Sequence, residues 1–134
     1  MVFRQIEGNE KGWGKLLLVT GGSGGPKIIS SVLQVVINHC WLGMSLFDSV
    51  ARPRVHDQLL YHDAALTETE KSVLDHGATI QVPLRTKQAL LSRGHGELID
   101  IDYAGTVQAV SVDLETGTFS AVSDIRKGGS PAGY

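Results

Sequence analysis

Four glycines fall within the five residues Gly21-Gly22-Ser23-Gly24-Gly25, directly behind the apolar run Lys15-Leu16-Leu17-Leu18-Val19-Thr20 and directly ahead of Pro26. Glycine reaches positive φ and leaves the backbone amides uncovered by side chains. Proline suits the first position of a helix, where the amide it lacks would have no intrahelical acceptor. The order therefore predicts a strand, a tight turn and a helix that begins at the turn. The amides of such a turn lie at the positive end of the helix dipole, where negative charge binds. The chemistry open to the stretch is capture of an anion: a phosphate, a carboxylate, or an oxyanion formed during acyl transfer.

Spacing removes the nucleotide readings. A P-loop requires G-x-x-x-x-G-K-[ST]; counted from Gly21, Pro26 stands where the second glycine belongs and Ile28 where the hydroxyl belongs. A dinucleotide fingerprint counted from Gly22 meets Lys27 at its last glycine. Two readings stay open on residue chemistry alone. The glycines make a tight strand-to-helix corner, or they present amides to a developing oxyanion, a role whose removal in known enzymes costs about 3–4 kcal/mol.

The other residues able to do chemistry are scattered. His56 lies between Arg54 and Asp57, but no second pair at metal-ligand spacing accompanies it, so a structural hydrogen bond is expected. His62-Asp63 and His95 read as solvent-facing polar residues. Asp124 and Arg126 read as a structural ion pair tying the tail to a sheet. Ser30 and Ser31 are adjacent on the predicted helix and cannot share one face. Cys40 sits in an apolar helical pattern, which predicts a buried, inert thiol, and a single cysteine excludes an internal disulfide.

The elements that must position these residues follow from periodicity. Lys15 to Thr20 predicts a strand buried on both faces. From Pro26, the apolar residues Ile28, Ile29, Val32, Val35, Val36 and Cys40 follow helical spacing, with Gly43 as the C-cap. Ser45-Leu46-Phe47-Asp48 has the spacing of a capping box and opens a short helix through Ala51, which Pro53 ends. Arg52 to Asp63 reads as irregular or extended. Thr67-Glu68-Thr69-Glu70 reads as the start of a third helix closed by His76-Gly77, and Ala78 to Leu84 as a strand. Arg85 to Gly96 reads as a loop with a short helical turn at Gln88 to Leu91. A β-meander is expected over Glu97–Tyr103, Thr106–Val112 and Thr118–Val122, with a hairpin connection at Asp113 to Gly117.

Composition sets the class. The chain has 134 residues, 42% hydrophobic and 19% charged, which predicts one globular domain. A formal net charge of −2, with the cations dispersed, argues against nucleic acid or an anionic membrane as partner. The N-terminus lacks the apolar core of a signal peptide, and no run approaches the roughly 18 apolar residues of a membrane span. Taken alone, these features predict a soluble, intracellular chain.

Four motifs, in order along the chain, resemble the C-terminal part of the gamma-glutamyltransferase (gamma-glutamyltranspeptidase, glutathione hydrolase) small subunit. They are Leu18-Val19-Thr20-Gly21-Gly22-Ser23-Gly24-Gly25 with Ile28-Ile29 and Val32-Leu33-Gln34; Ala51-Arg52-Pro53-Arg54-Val55-His56-Asp57-Gln58; Gly105 to Val110; and Ser123-Asp124-Ile125-Arg126 with Ala132-Gly133-Tyr134. The resemblance covers residues 15–134, is weakest over 85–96, and leaves residues 1–14 as a non-matching, loosely ordered lead-in. It implies part of an N-terminal nucleophile hydrolase α/β/β/α sandwich, a mixed α and β fold that is mainly antiparallel with helices on one face. It implies gamma-glutamyl transfer from glutathione, through an N-terminal Thr, to water or to an amino acid or peptide acceptor. Gly24 and Gly25 align with the glycines that line the family's oxyanion site. The family's nucleophile motif and Ser-Ser carboxylate motif have no counterpart here, so no catalytic nucleophile is assigned and the chain is expected to be a fragment, inactive alone. The resemblance further implies no metal or other cofactor, gamma-glutamyl compounds as ligands, and the rest of the small subunit plus a large subunit as partners. Family members are mostly extracellular, membrane-anchored, periplasmic or vacuolar. The alternatives are a non-catalytic light-chain-like protein that acts by association, and an anion-binding module built on the glycine turn.

Overall fold

The computed structural model describes residues 1–5, 12, 14–59 and 66–133. The first sheet has the order β1-β2-β7-β8, from β1 (Val2–Arg4), β2 (Lys15–Ser23), β7 (Thr106–Val112) and β8 (Phe119–Val122), all neighbours antiparallel. In the register Leu18↔Ser111, Thr20↔Ala109, Gly22↔Val107, every second residue of β2 and β7 shares one face. That face carries Leu18, Val107 and Ala109, which form the core with Val35 of α1 (Lys27–Val36) and Leu46 and Val50 of α2 (Leu46–Ala51). β2 is therefore covered on one face only. Val19 and Val110, paired on the other face, are exposed, and Phe119 at its margin is 70% exposed. The expected burial of β2 on both faces is not found, because both helices that pack on this sheet lie on the same side.

The second sheet is built on β4 (Leu66–Val73). It runs antiparallel to β3 (Val55–Asp57) and β5 (Thr79–Gln81) and parallel to β6 (Glu97–Ile101). The third helix expected from Thr67 is thus a strand. Thr67, Thr69, Glu70 and Ser72 are buried. Thr67 Oγ1 donates to Asp57 (2.6 Å), Thr69 Oγ1 to Asp100 (2.8 Å), and Ser72 Oγ to the Asp102 carbonyl (2.7 Å). Hydroxyl residues with distant partners override the acidic first-turn signal that suggested a helix. The region read as a loop holds α3 (Leu84–Ser92), the crossover that a parallel β4–β6 pair requires. For the same reason the three-stranded meander is reduced to the β7–β8 hairpin, since β6 belongs to the other sheet.

The local signals hold. Pro26 is the N-cap of α1, which continues through one π-helical turn, Ile37–Trp41, to Gly43 at φ +65. Ser45 Oγ accepts the Asp48 amide at 3.0 Å and caps α2. In the lead-in, Val2–Arg4 pair with β2 rather than staying loose. No helix among the described residues is long and apolar enough to cross a membrane.

Candidate functional site

Strand β2 delivers Ser23 to the turn, and α1 leaves it. Gly24 has φ +138 and Gly25 φ +61, values that side-chain-bearing residues rarely adopt. Their carbonyls start the helix, accepting Lys27 N (3.3 Å) and Ile28 N (3.1 Å). No acceptor among the described residues takes the Gly24 or Gly25 amide. A Cβ on Gly24 would stand 2.8 Å from Gly105 Cα, and one on Gly105, itself at φ +80, 2.9 Å from Ser31 Oγ. Two glycines therefore meet backbone to backbone, and the turn is shaped by Gly105 as much as by its own residues. Ser31, buried in α1, donates to the Ala104 carbonyl at 2.6 Å, and the Tyr103 hydroxyl donates to the Ser23 carbonyl at 3.3 Å. Ser23 and Thr106 join through their hydroxyls at 2.8 Å. A groove of about 480 Å³ lies beside the strand end, lined by Ser23, Thr106, Gln108 and Lys127 among others.

Gly105 is held from behind by charge. Arg54 Nη1 donates to the Gly105 carbonyl at 2.6 Å, while Nη2 donates to Asp124 Oδ2 (2.7 Å) and to the Val50 carbonyl (2.8 Å). Asp124 Oδ2 also accepts the Val107 amide (2.7 Å), and Oδ1 accepts Arg126 N (3.0 Å) and Nη1 (2.9 Å). Arg126 closes on Glu70, Nε to Oε1 and Nη2 to Oε2, and Glu70 Oε2 accepts the Arg54 amide at 2.9 Å. Two cations and two anions thus form one closed network, with Glu70 and Asp124 at 0% exposure and Arg54 at 2%. Burial pushes the Asp124 carboxyl up, but the charges of Arg54 and Arg126 and their hydrogen bonds outweigh it and hold it below the usual range. Burial and the neighbouring Arg126 charge lower the Arg54 guanidinium, whereas Glu70 keeps Arg126 above its ordinary value against the same burial. Both arginines stay charged at neutral pH.

The remaining candidates fall elsewhere. His56 Nδ1 meets Ser30 Oγ at 2.7 Å, a structural bond between β3 and α1, and its buried Nε2 has no partner among the described residues. Ser30 and Ser31 make separate bonds, to His56 and to Ala104. His95 is not simply solvated: its Nδ1 lies 2.8 Å from Asp57 Oδ2, beside Thr67. Cys40 is half-buried, and burial raises its thiol. His62-Asp63 and Tyr134 lie outside the described residues. No group of three potential metal ligands occurs among the described residues. Sequence reasoning missed Glu70 and had Gly105 only as the first residue of a motif, with no place beside the glycine turn. The available signals were an acid inside a run of alternating Thr residues and a glycine at the head of a strand.

The family model described as gamma-glutamyltranspeptidase matches residues 10–134. Glutathione hydrolase 2 of Arabidopsis thaliana is 32% identical over 127 residues, covering 90% of this chain and 21% of the relative. The glutathione hydrolase proenzyme of Bacillus subtilis is 33% identical over 122 residues, covering 89% and 18%. A mutant gamma-glutamyltranspeptidase of Helicobacter pylori superposes with a TM-score of 0.66 at 29% identity, over 84% of this chain and 55% of that one. A mutant of the Pseudomonas nitroreducens enzyme gives a TM-score of 0.72 at 25% identity, over 99% and 60%. The chain spans about a fifth of the length of the curated relatives it matches. The fold expected from the sequence, of the N-terminal nucleophile hydrolase type, is the fold found.

Proposed function

Because the chain belongs to the gamma-glutamyltranspeptidase family, we propose that residues 15–134 form the C-terminal part of a small subunit and supply the oxyanion site for gamma-glutamyl transfer. The observation that carries this reading is the pair Gly24-Gly25. Both have positive φ, both amides lack an acceptor among the described residues, and both stand at the start of a ten-residue helix. The substrate class is glutathione or another gamma-glutamyl compound. The amides stabilise the negative oxygen of the tetrahedral intermediate, and the acyl group passes to water or an amino acid or peptide acceptor. Stabilising that oxygen accelerates the reaction only when a nucleophile is present. The 134 residues offer no counterpart of the family's nucleophilic Thr, so this chain is inactive on its own.

The same reading gives the chain a protein partner that brings the nucleophile. The support is the uncovered face of the first sheet, where Val19, Val110 and Ala121 line an apolar groove of about 460 Å³ and Phe119 stands exposed. The test is a chimera in which residues 15–134 replace the matching stretch of the Bacillus subtilis relative. Hydrolysis of gamma-glutamyl-p-nitroanilide is expected, and Gly25→Val should lower it about 10²–10³-fold. A folded chimera that is inactive, or a Gly25→Val chimera of unchanged rate, refutes the proposal. Turnover by the purified 134-residue chain refutes the assignment of the nucleophile to the partner.

A further inference from the structure

Helix α1 is apolar on its outer side as well as in the core. Its inner face gives Ser31 and Val35 to the interior. The opposite face carries Ile29, Leu33, Ile37 and Trp41 at intervals of four residues, from 39% exposed at Ile37 to 78% at Ile29. An interval of four slightly exceeds one α turn of about 3.6 residues and falls short of the wider π turn. The drift of the row from Ile29 to Ile37 is therefore reversed across the π-helical turn, which keeps Trp41 on the same ridge. Leu42, also exposed, prolongs it. From Ile28 to Phe47 the sequence has no Asp, Glu, Lys or Arg. A helix that ends in water carries polar residues outward, whereas one that is apolar on opposite sides is covered on both.

What covers the ridge follows from its position, its charge and its area. The nucleophile-bearing partner has its place on the uncovered face of the first sheet, and that sheet stands between the partner and the outside of α1. A helix that lies on a membrane borders its apolar face with Lys and Arg, and this stretch has neither. The ridge does fit a copy of itself. In a two-fold contact each residue meets its own copy or a near neighbour of it, so a charged ridge would repel itself and a charge-free one does not. Rows of residues four apart also pack into the grooves between the same rows on a second helix. At roughly 200 Å² per large side chain, Ile29, Leu33, Ile37, Trp41 and Leu42 leave about 600 Å² exposed. Two copies would bury about 1,200 Å² between them, the size at which specific, stable interfaces begin.

We propose that this ridge is the interface of a homodimer, in which α1 packs against α1 of a second copy about a two-fold axis passing near Leu33 and Ile37. These two residues lie mid-ridge, so the axis brings each close to the same pair on the other copy. Antiparallel helices then set the large Trp41 of one copy beside the smaller Ile29 of the other, and the ends fill evenly. The contact is isologous and closes at two copies. It leaves the exposed face of the first sheet free and does not depend on the acyl-transfer reading.

The test is sedimentation of the 134-residue chain over a concentration series up to about 100 µM, with Leu33→Glu, Ile37→Glu and Val110→Glu variants alongside. The mass is expected to rise with concentration from the 14.4 kDa of one chain to twice that value. Leu33→Glu and Ile37→Glu each put two carboxylates into one symmetric contact and should weaken the dimer at least about 100-fold. Val110→Glu, on the exposed face of the first sheet, should leave it intact. Leu33 and Ile37 are exposed in the single chain, so their variants should keep the wild-type circular dichroism. Where one does not, Trp41→Ala, which removes only exposed surface, should still weaken the dimer about tenfold. A chain that stays monomeric throughout overturns the proposal and leaves the ridge to the nucleophile-bearing partner. So does a dimer that withstands the ridge variants and dissociates on Val110→Glu, or a species larger than a dimer that persists in Val110→Glu.

Discussion

Replacing Asp124 with Asn tests how the candidate site is held. The carboxylate is fully buried, and its two oxygens accept four donors: Arg54 Nη2 and the Val107 amide on one, Arg126 N and Nη1 on the other. Asparagine keeps one accepting oxygen and turns the other into an amide that points its hydrogens at two donors. One charge-assisted hydrogen bond is lost, about 1.5–3 kcal/mol, and one backbone amide is left without an acceptor, about 1–3 kcal/mol. The network also goes from two cations and two anions to two cations and one anion. The sum is about 2.5–6 kcal/mol, which brackets the range of about 3–5 kcal/mol measured when one partner of a buried pair is removed. A typical domain is stable by only about 5–15 kcal/mol, so most of the margin is at stake.

Urea unfolding followed by circular dichroism reads this directly. With a slope of about 1–3 kcal/mol/M, the midpoint should fall by about 2 M. Asp113→Asn is the control, because Asp113 accepts the Glu115 and Thr116 amides in an exposed turn and its loss should barely move the midpoint. Arg54→Met together with Asp124→Asn removes one unbalanced cation, so the double variant should be less damaged than the two single effects combined, with a coupling of about 1–3 kcal/mol. A midpoint within about 0.5 M of wild type for Asp124→Asn alone refutes the claim that the network holds the domain.

Gly24→Ala should destabilise by about 2–3 kcal/mol, since the Cβ meets Gly105 and the backbone has φ +138, whereas Gly25→Ala, at φ +61 in open space, should cost about 1 kcal/mol; equal effects in thermal unfolding would contradict the close glycine contact. The Asp57 carboxyl is held low, chiefly by the hydrogen bond from Thr67, and Asp100 by that from Lys87. Like Asp124, they are depressed in the folded state, so their stabilisation is complete above the unfolded value near about 3.9 and is lost as pH falls below it. Stability should therefore hold from neutral pH down to about pH 5 and then decline, and an unfolding temperature equal at about pH 5 and pH 3 would contradict this. Ser45→Ala removes the N-cap of α2 and should cost about 1 kcal/mol in denaturant, while no change would mean the cap contributes nothing.

What the sequence disclosed depended on how far apart the interacting residues lie. The glycine turn, the Pro26 start of α1 and the Ser45 cap rest on residues within a few positions of one another, and each was legible. β4 was not, because its buried side chains are hydroxyls and an acid whose partners are remote: Glu70 meets Arg126, 56 residues on, and Thr69 meets Asp100, 31 residues on. Without those partners Thr67 to Glu70 look like the polar first turn of a helix. Ala104-Gly105 stood between the first two runs of the expected meander, yet it carries the chain from one sheet to the other. Its Gly105 then becomes a wall of the site. Motif resemblance reached Arg54, Gly105, Asp124 and Arg126 as separate segments; only the fold makes one object of them.

Burying four charges gives no obvious advantage in stability, because well-packed apolar residues of similar volume often serve as well. The reason for this network lies in the backbone around it. Helix α2 has six residues, and its last carbonyls would be orphaned where the chain turns away at Arg52 and Pro53. Arg54 and Arg126 take the Val50 carbonyl, and Arg126 also takes those of Ala51 and Arg52. Arg54 takes the Gly105 carbonyl, while Asp124 and Glu70 take the Val107 and Arg54 amides. Leucine or methionine would fill the space and leave these groups unsatisfied in the interior, at about 1–3 kcal/mol each. The charged side chains thus do what a regular sheet or helix does elsewhere, which is to satisfy buried backbone. They allow an irregular segment, Ala104-Gly105, to lie fixed against the glycine turn. The position of Gly105 against the Gly24-Gly25 turn then rests on Glu70, Arg54, Asp124 and Arg126, which fix the backbone behind it.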